Sequence, residues 1–316
     1  QPDGSFQAAA GGNAIVGLAG MAFLAAGHSP GRPPYGDVLN RCTDRLLAQA
    51  RADGYLGADN GNMYGHGIAT LFLSEVAGMV DPAREERVEA LLSRALRVIL
   101  DAQKVPKNNA SDVGGWRYQP DSKDSDISVT GWQIMALRSA RANGAPVPGE
   151  AINRAIAFVD ACRGRALRII DGAGSADDGG FWYHPPQYYS RRNYWIGGPS
   201  GAARTGVALL SRELAGHHGD EINKRAGDYL LGQIRGQGSF LPPDNLEYAT
   251  YYAAQGMFQL GGRYWEEFGA AMYRHLLPRQ SPDGFWPNDQ HGPAYATSMY
   301  VLALTVSYQQ LPIYQR

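Results

Sequence analysis

Two aspartates, Asp124 and Asp126, precede a helix-forming run in Asp124-Ser125-Asp126-Ile127-Ser128-Val129-Thr130. Carboxyls this close can divide acid and base roles between them, one holding its proton while the other ionises. The same pattern has a simpler use. An Asp followed by Ser at a helix start accepts hydrogen bonds from the free N–H groups of the first turn. The residues alone leave both uses open. A second candidate group is Asn60-Gly61-Asn62-Met63-Tyr64-Gly65-His66-Gly67. There His66 is a possible base or ligand, or else a packed, hydrogen-bonded ring. His291 offers the same pair of readings further on, whereas His217 and His218 fall in a solvated loop.

Aromatic residues cluster near the same helix starts. Phe181, Trp182, Tyr183, Tyr188, Tyr189, Tyr194 and Trp195 precede one, Tyr248, Tyr251 and Tyr252 open another, and Tyr295 and Tyr300 lie on a third. With Tyr64 and Trp132 they can wall an apolar or sugar-binding cavity, or pack turns with their phenols bonded to backbone. Carboxylates at Asp59, Asp126, Asp177, Asp178, Asp244 and Glu247 could instead pair for glycoside chemistry, which needs separations of about 5 Å or about 6.5–9.5 Å.

Several classes are excluded. The net charge of −1 gives no electrostatic basis for binding nucleic acid or an anionic membrane. No uninterrupted apolar stretch is long enough for a transmembrane segment. The two cysteines, Cys42 and Cys162, have no partner at metal-ligand spacing, and no cofactor or metal is expected. Compartment is not legible.

The elements that position these residues are set by a repeat. The chain holds 40 glycines in 316 residues. A Gly-x-bulky signature recurs with leading glycines at 4, 54, 114, 180, 238 and 284. After each comes a run of small and apolar residues with no wholly polar face: 13–26, 63–77, 128–142, 201–215, 248–260 and 294–308. Such helices are buried. Before each later signature lies a helix with a single apolar stripe, at 36–50, 85–103, 149–163, 220–234 and 263–277. The 85–103 helix starts from Asp81-Pro82, a cap followed by an N1 proline. The units predict an all-α, (α/α)6 toroid of six helix pairs over residues 1–316 as one domain. Gln1-Pro2-Asp3-Gly4 matches Gln280-Ser281-Pro282-Asp283-Gly284, which ends an outer helix, so an upstream outer helix is expected in the native chain.

This arrangement resembles the terpenoid cyclase and protein prenyltransferase superfamily, whose repeat carries Gln, then Gly, then an aromatic. Gln280 to Trp286 is the best copy, with Gln49 and Gln233 or Gln237 near two others. Residues 124–130 resemble a degraded Asp-x-Asp-Asp-Thr motif of class II terpene cyclases. The resemblance makes Asp126 the proton donor to an alkene or epoxide and Asp124 its partner, with aromatic faces holding the cation. Ile127 stands at the third acid and Ser128 at the Thr. Sliding the motif by two residues puts Ser128 at the acid position. The zinc ligands of the prenyltransferases are missing from 247–251, which has no Cys.

The resemblance implies an isoprenoid ligand in the central cavity, bound by Tyr64, His66, Trp132, Tyr188, Tyr189, Tyr194, Trp195, Tyr248, Tyr251 and Tyr295, with cyclisation started by Asp126. Two alternatives remain: a glycosidase or lyase on the same fold, and a non-catalytic toroid holding a lipid or a partner protein segment. The end of the sequence, 310–316, packs on the ring or leaves it to meet a partner.

Overall fold

A computed structural model of the protein describes residues 1–6, 12–57, 62–164, 179–185, 201–236, 240–242 and 245–314. Among them the α-helices are α1 (Gly12–Ala25), α2 (Gly36–Gln49), α3 (Asn62–Val76), α4 (Pro82–Lys104), α5 (Ile127–Ala142) and α6 (Gly149–Ala161). They continue as α7 (Ala202–Leu214), α8 (Glu221–Gly236), α9 (Leu246–Leu260), α10 (Gly262–Leu276) and α11 (Pro293–Leu304). No described strand interrupts them, and no described helix is long and apolar enough to cross a membrane.

The odd-numbered helices form an inner ring. α1 packs on α3, α3 on α5, α5 on α7, α7 on α9 and α9 on α11, and α11 returns to α1. The even-numbered helices lie outside, each against the inner helix before it. The fold is an α/α toroid.

Sequence explains the two layers. α1 buries nearly its whole length, including Ile15, Leu18, Met21 and Leu24. α4 buries only the stripe Val88, Leu91, Leu92, Ala95, Leu96 and Ile99. Its first turn is capped as expected, Asp81 accepting from the Arg84 N–H at 3.2 Å. Small residues let the inner helices approach. A Cβ on Gly20 would sit 2.4 Å from the Phe72 ring across the α1–α3 contact.

Four of the turn glycines, Gly4, Gly54, Gly114 and Gly179, are seated on the outer helix that follows. A Cβ on Gly4, Gly114 or Gly179 would lie 2.2–2.3 Å from the carbonyl oxygen of Arg41, Arg154 or Arg225, and one on Gly54 would lie 2.5 Å from the Arg94 side chain. All four have positive φ, from 77° to 97°. The seat in the fourth unit is therefore Gly179, one residue before the glycine that heads the sequence signature.

Two residues past Gly54, Gly114, Gly179 and Gly284 the backbone N–H is bonded by the inner helix. Trp116, Phe181 and Trp286 donate to the Oγ1 of Thr130, Thr205 and Thr297 at 3.0–3.1 Å. Leu56 donates to His66 Nδ1 at 3.1 Å. The indoles of Trp116 and Trp286 donate to carbonyls of the outer helix before the turn, Ile99 and Leu276. Gln103 and Gln280 both donate from Nε2 to the turn-glycine carbonyl, at 2.8 Å. Gln103 is thus a copy of the repeat glutamine that its distance from Gly114 conceals in the sequence.

These contacts separate two uses of glycine. Gly144 has φ 89° with nothing within 4 Å of an added Cβ, whereas Gly114 has φ 97° and a carbonyl at 2.2 Å. Urea denaturation of Gly144→Ala is expected to show a loss of about 1 kcal/mol, the strain of a positive φ. Gly114→Ala adds overpacking against α6 and is expected to lose about 3 kcal/mol or more. Equal losses would contradict the seat.

Candidate functional site

The inner helices start on one side of the ring, and a cavity of about 670 Å³ opens there. Every inner helix gives it a first-turn residue: Ala14 from α1, Tyr64 from α3, Ser128 from α5, Ala203 from α7, Tyr248 from α9 and Tyr295 from α11. The next turns add apolar groups, Leu18, Ile68, Trp132 and Met299. Asn62, Arg204, Asn245 and His291 supply polar lining. N-terminal ends of helices carry exposed N–H groups and a partial positive charge, so the mouth favours electron-rich groups while the depth is apolar.

Asp126 is wholly buried and caps α5. Its Oδ1 accepts from the N–H groups of Ser128 and Val129, both at 2.9 Å. Its backbone is fixed on two sides: the Asp126 N–H donates to the Trp116 carbonyl at 2.9 Å, and the Ile127 N–H donates to the Tyr183 carbonyl at 3.1 Å. Oδ2 faces Arg117 Nη1 at 3.4 Å, and Tyr183 lies near the same carboxylate. Asp126 does not line the cavity, but Tyr183 and Ser128 do. Of the two registers of the acidic motif, the one that puts Ser128 at the acid position puts a cavity-facing residue there.

Burial dominates the acidity of Asp126 and raises its pKa to about 6, against the opposite pull of the Val129 N–H and the Arg117 guanidinium. Asp124 is partly exposed and pairs with Arg117 Nε at 3.4 Å. It reaches Asp126 only through that guanidinium. The Arg117 guanidinium also lies over the rings of Tyr118 and Tyr183, at 4.4 and 5.4 Å. Tyr183 and Tyr118 share a 2.6 Å hydroxyl contact, and Tyr118 stacks on Tyr64.

The aromatic wall is continuous. Trp132 meets Tyr248 and Tyr252 edge-on, at 6.4 and 5.3 Å, and Tyr251 lies flat against it at 5.5 Å. The Tyr248 hydroxyl donates to the Ser128 carbonyl at 3.3 Å. Burial pushes the phenols of Tyr64, Tyr248 and Tyr252 well above their ordinary pKa, so these rings are neutral.

The sequence candidates therefore divide. Tyr64, Trp132, Tyr248 and Tyr295 line the cavity, and so does His291. Tyr251 is one layer behind Trp132. His66 is fully buried with both ring nitrogens committed: Nδ1 accepts from Leu56, which leaves Nε2 to donate to the Ala95 carbonyl at 3.1 Å. Burial lowers its pKa to about 4. It occupies the place of Thr130, Thr205 and Thr297 and holds a turn. Tyr188, Tyr189, Tyr194 and Trp195 lie outside the described residues, as do Asp59, Asp177, Asp178 and Asp244. Glu247 Oε1 accepts from Asn288 at 2.9 Å, and no carboxylate among the described residues lines the cavity. No three described His, Cys, Asp or Glu side chains group to hold a metal.

Sequence reasoning missed Tyr229 and Gln233, which reach the cavity from the outer helix α8. Periodicity assigns α8 to the outside and carries no signal for this. It also passed over Arg204, which only the position of the α7 start brings to the wall.

The cap makes a thermodynamic prediction. Asp126→Ala is expected to lose about 1–2 kcal/mol in denaturant unfolding, and Asp126→Asn to keep most of that, because an amide oxygen still accepts the N–H groups. The folded carboxyl holds its proton above the unfolded value. Its contribution is therefore full below pH about 4 and is lost as the pH rises through about 6. Stability relative to Asp126→Asn should fall across that window. A rise would mean that the ionised cap dominates.

No protein-family model matches the chain, and no curated protein matches it in sequence. Solved structures match its fold. The apo type II terpene cyclase MstE from Scytonema superposes with TM-score 0.58 at 15% identity, over 98% of this chain and 93% of that one. A protein from Actinoplanes gives 0.57 at 14% identity, over 97% and 94%. A variant of MstE in complex with its substrate, geranylgeranyl dihydroxybenzoate, gives 0.53 at 16% identity, over 98% and 93%. At these identities the likeness is one of fold, and the chain has a terpene-cyclase-like α/α toroid.

Proposed function

We propose that the cavity holds an isoprenoid-type apolar ligand. The observation that carries this reading is the wall itself: aromatic faces and aliphatic groups around about 670 Å³, with most of the polar groups near helix starts. Its size falls in the range of small-molecule sites. A geranylgeranyl substrate bound to a protein of the same fold supports the same class of ligand. The sugar reading needs a pair of carboxylates across the ligand. The described wall supplies none.

Within this reading Asp126 is first a helix cap. Protonating an alkene asks for an acid stronger than an ordinary carboxyl, whereas burial makes Asp126 weaker, with a pKa of about 6. One observation favours a catalytic role. Tyr183 lies near the carboxylate and lines the cavity, so in a catalytic role it would relay the proton between Asp126 and the ligand. In that role Tyr64, Trp132 and Tyr248 would face the developing cation. Asp124 would act at one remove, by orienting Arg117.

Calorimetric titration with farnesol and geranylgeraniol tests the binding. Saturable binding is expected, weakened about tenfold or more in Trp132→Leu or Tyr248→Ala, and unchanged in Asp126→Asn. Absence of saturable binding would end the reading. Incubation with polyprenyl substrates separates the two roles of Asp126: a cyclic product made by the wild type and lost in Asp126→Asn assigns the acid, and no product from either assigns the cap alone.

A further inference from the structure

Beyond Trp132 the ring interior continues with groups that the cavity does not touch. Tyr251 stacks on Trp132 with an interplanar angle of 9°. Its hydroxyl meets the hydroxyl of Tyr314 at 2.9 Å and the sulfur of Met135 at 3.9 Å. Tyr314 belongs to a 3-10 turn, Pro312–Tyr314, packed against α5. Leu311, Ile313 and Tyr314 are 2%, 6% and 3% exposed. A stretch that follows the exposed residues 307–310 is thus buried like core.

Its backbone is anchored at the far end of the inner helices. The Ile313 N–H donates to Glu75 Oε2 at 3.3 Å, and Gln259 Nε2 donates to the Tyr314 carbonyl at 3.5 Å. The other Glu75 oxygen accepts from Ser139 Oγ. Glu75, Ser139 and Gln259 lie in the last turns of α3, α5 and α9. Glu75 is two turns, about 10 Å, beyond the cavity residue Ile68 on the same helix. The segment therefore fills the ring from the side opposite the cavity mouth. Burial raises the Glu75 carboxyl to about 7, which favours the neutral form at this closed end.

We infer that Tyr314, acting through Tyr251 and Trp132, sets the depth of the cavity and with it the length of isoprenoid chain that fits. The inference rests on the ligand reading above. Tyr314 is a positioning residue. Its hydroxyl holds Tyr251, which lies flat behind Trp132, and Trp132 is part of the deep wall. Remove that support and the two rings can retreat toward the closed end. A five-carbon unit is comparable in length to the 5.5 Å between them.

The test uses the full chain and the ten-, fifteen- and twenty-carbon alcohols geraniol, farnesol and geranylgeraniol, titrated calorimetrically. Tyr314→Ala is expected to move the ratio of affinities about tenfold toward the next longer alcohol, the scale by which an apolar pocket discriminates small changes in chain length. Tyr314→Phe loses only the hydroxyl and should move the ratio the same way by less. Ile313→Ala removes apolar bulk from the same segment without touching Tyr251, and should destabilise the protein while leaving the ratio alone. A ratio unmoved in both Tyr314 variants would overturn the inference. So would an Ile313→Ala shift as large as that of Tyr314→Ala. If the wild type binds none of the alcohols, the ligand reading falls and the inference falls with it. If the wild type binds them and the ratio does not move, the inference alone fails.

Discussion

A buried backbone N–H needs an acceptor, and that requirement organises this ring. At four described joints the N–H two residues past a turn glycine is met by a side chain from the inner helix, at Leu56, Trp116, Phe181 and Trp286. At Gly54, Gly114 and Gly179 the glycine can sit only where it has no side chain, on the backbone or side-chain stem of the next outer helix. Each of these three joints therefore fixes three helices at once. It sets where the inner helix begins, and so which residues occupy its first turn.

The cavity follows from that placement. First-turn residues from all the described inner helices meet on one side of the ring, and the same joint starts α3, α5, α7 and α11. Asp126 shows how closely the joint and the site are linked. Its N–H bonds the carbonyl of the turn residue Trp116, its Oδ1 caps α5, and its second oxygen faces Arg117. The carboxyl is structural on one side and faces the Arg117 guanidinium, which lies over the Tyr183 ring, on the other. Behind the opposite wall, Trp132, Tyr251 and Tyr314 form a column that ends at Glu75.

Much of this was legible in the residues. Small-residue runs marked the inner helices, and single apolar stripes marked α4 and its like, since burial on all sides and burial on one side leave different patterns. The aromatic positions Tyr64, Tyr248 and Tyr295 were readable because they stand at helix starts, and Trp132 because it lies one turn further along α5. His66 was not, because a histidine standing in for threonine at a turn looks identical in sequence to one in a site. Gln103 was hidden by the long connection before Gly114. Tyr229 and Gln233 were hidden by the amphipathic pattern of α8, which specifies a buried stripe and is silent on what a helix end can reach. The buried pair Arg212 and Glu213 was equally invisible. Its partners Asp160 and Asn223 come from the neighbouring outer helices α6 and α8, and charge in sequence reads as surface until such partners are known. Residues 311–314 carry no periodicity, so their burial depended on the space that the ring leaves open.

The central claim is that the aromatic cavity at the inner-helix starts is the place where an isoprenoid chain binds. A crystal structure determined with geranylgeraniol tests it most directly. The account predicts an extended apolar chain against Trp132, Tyr248 and Tyr295, with its hydroxyl end toward Ser128 and the helix starts. A cavity that stays filled by solvent alone, or an alcohol bound only on the outer helices, would contradict it.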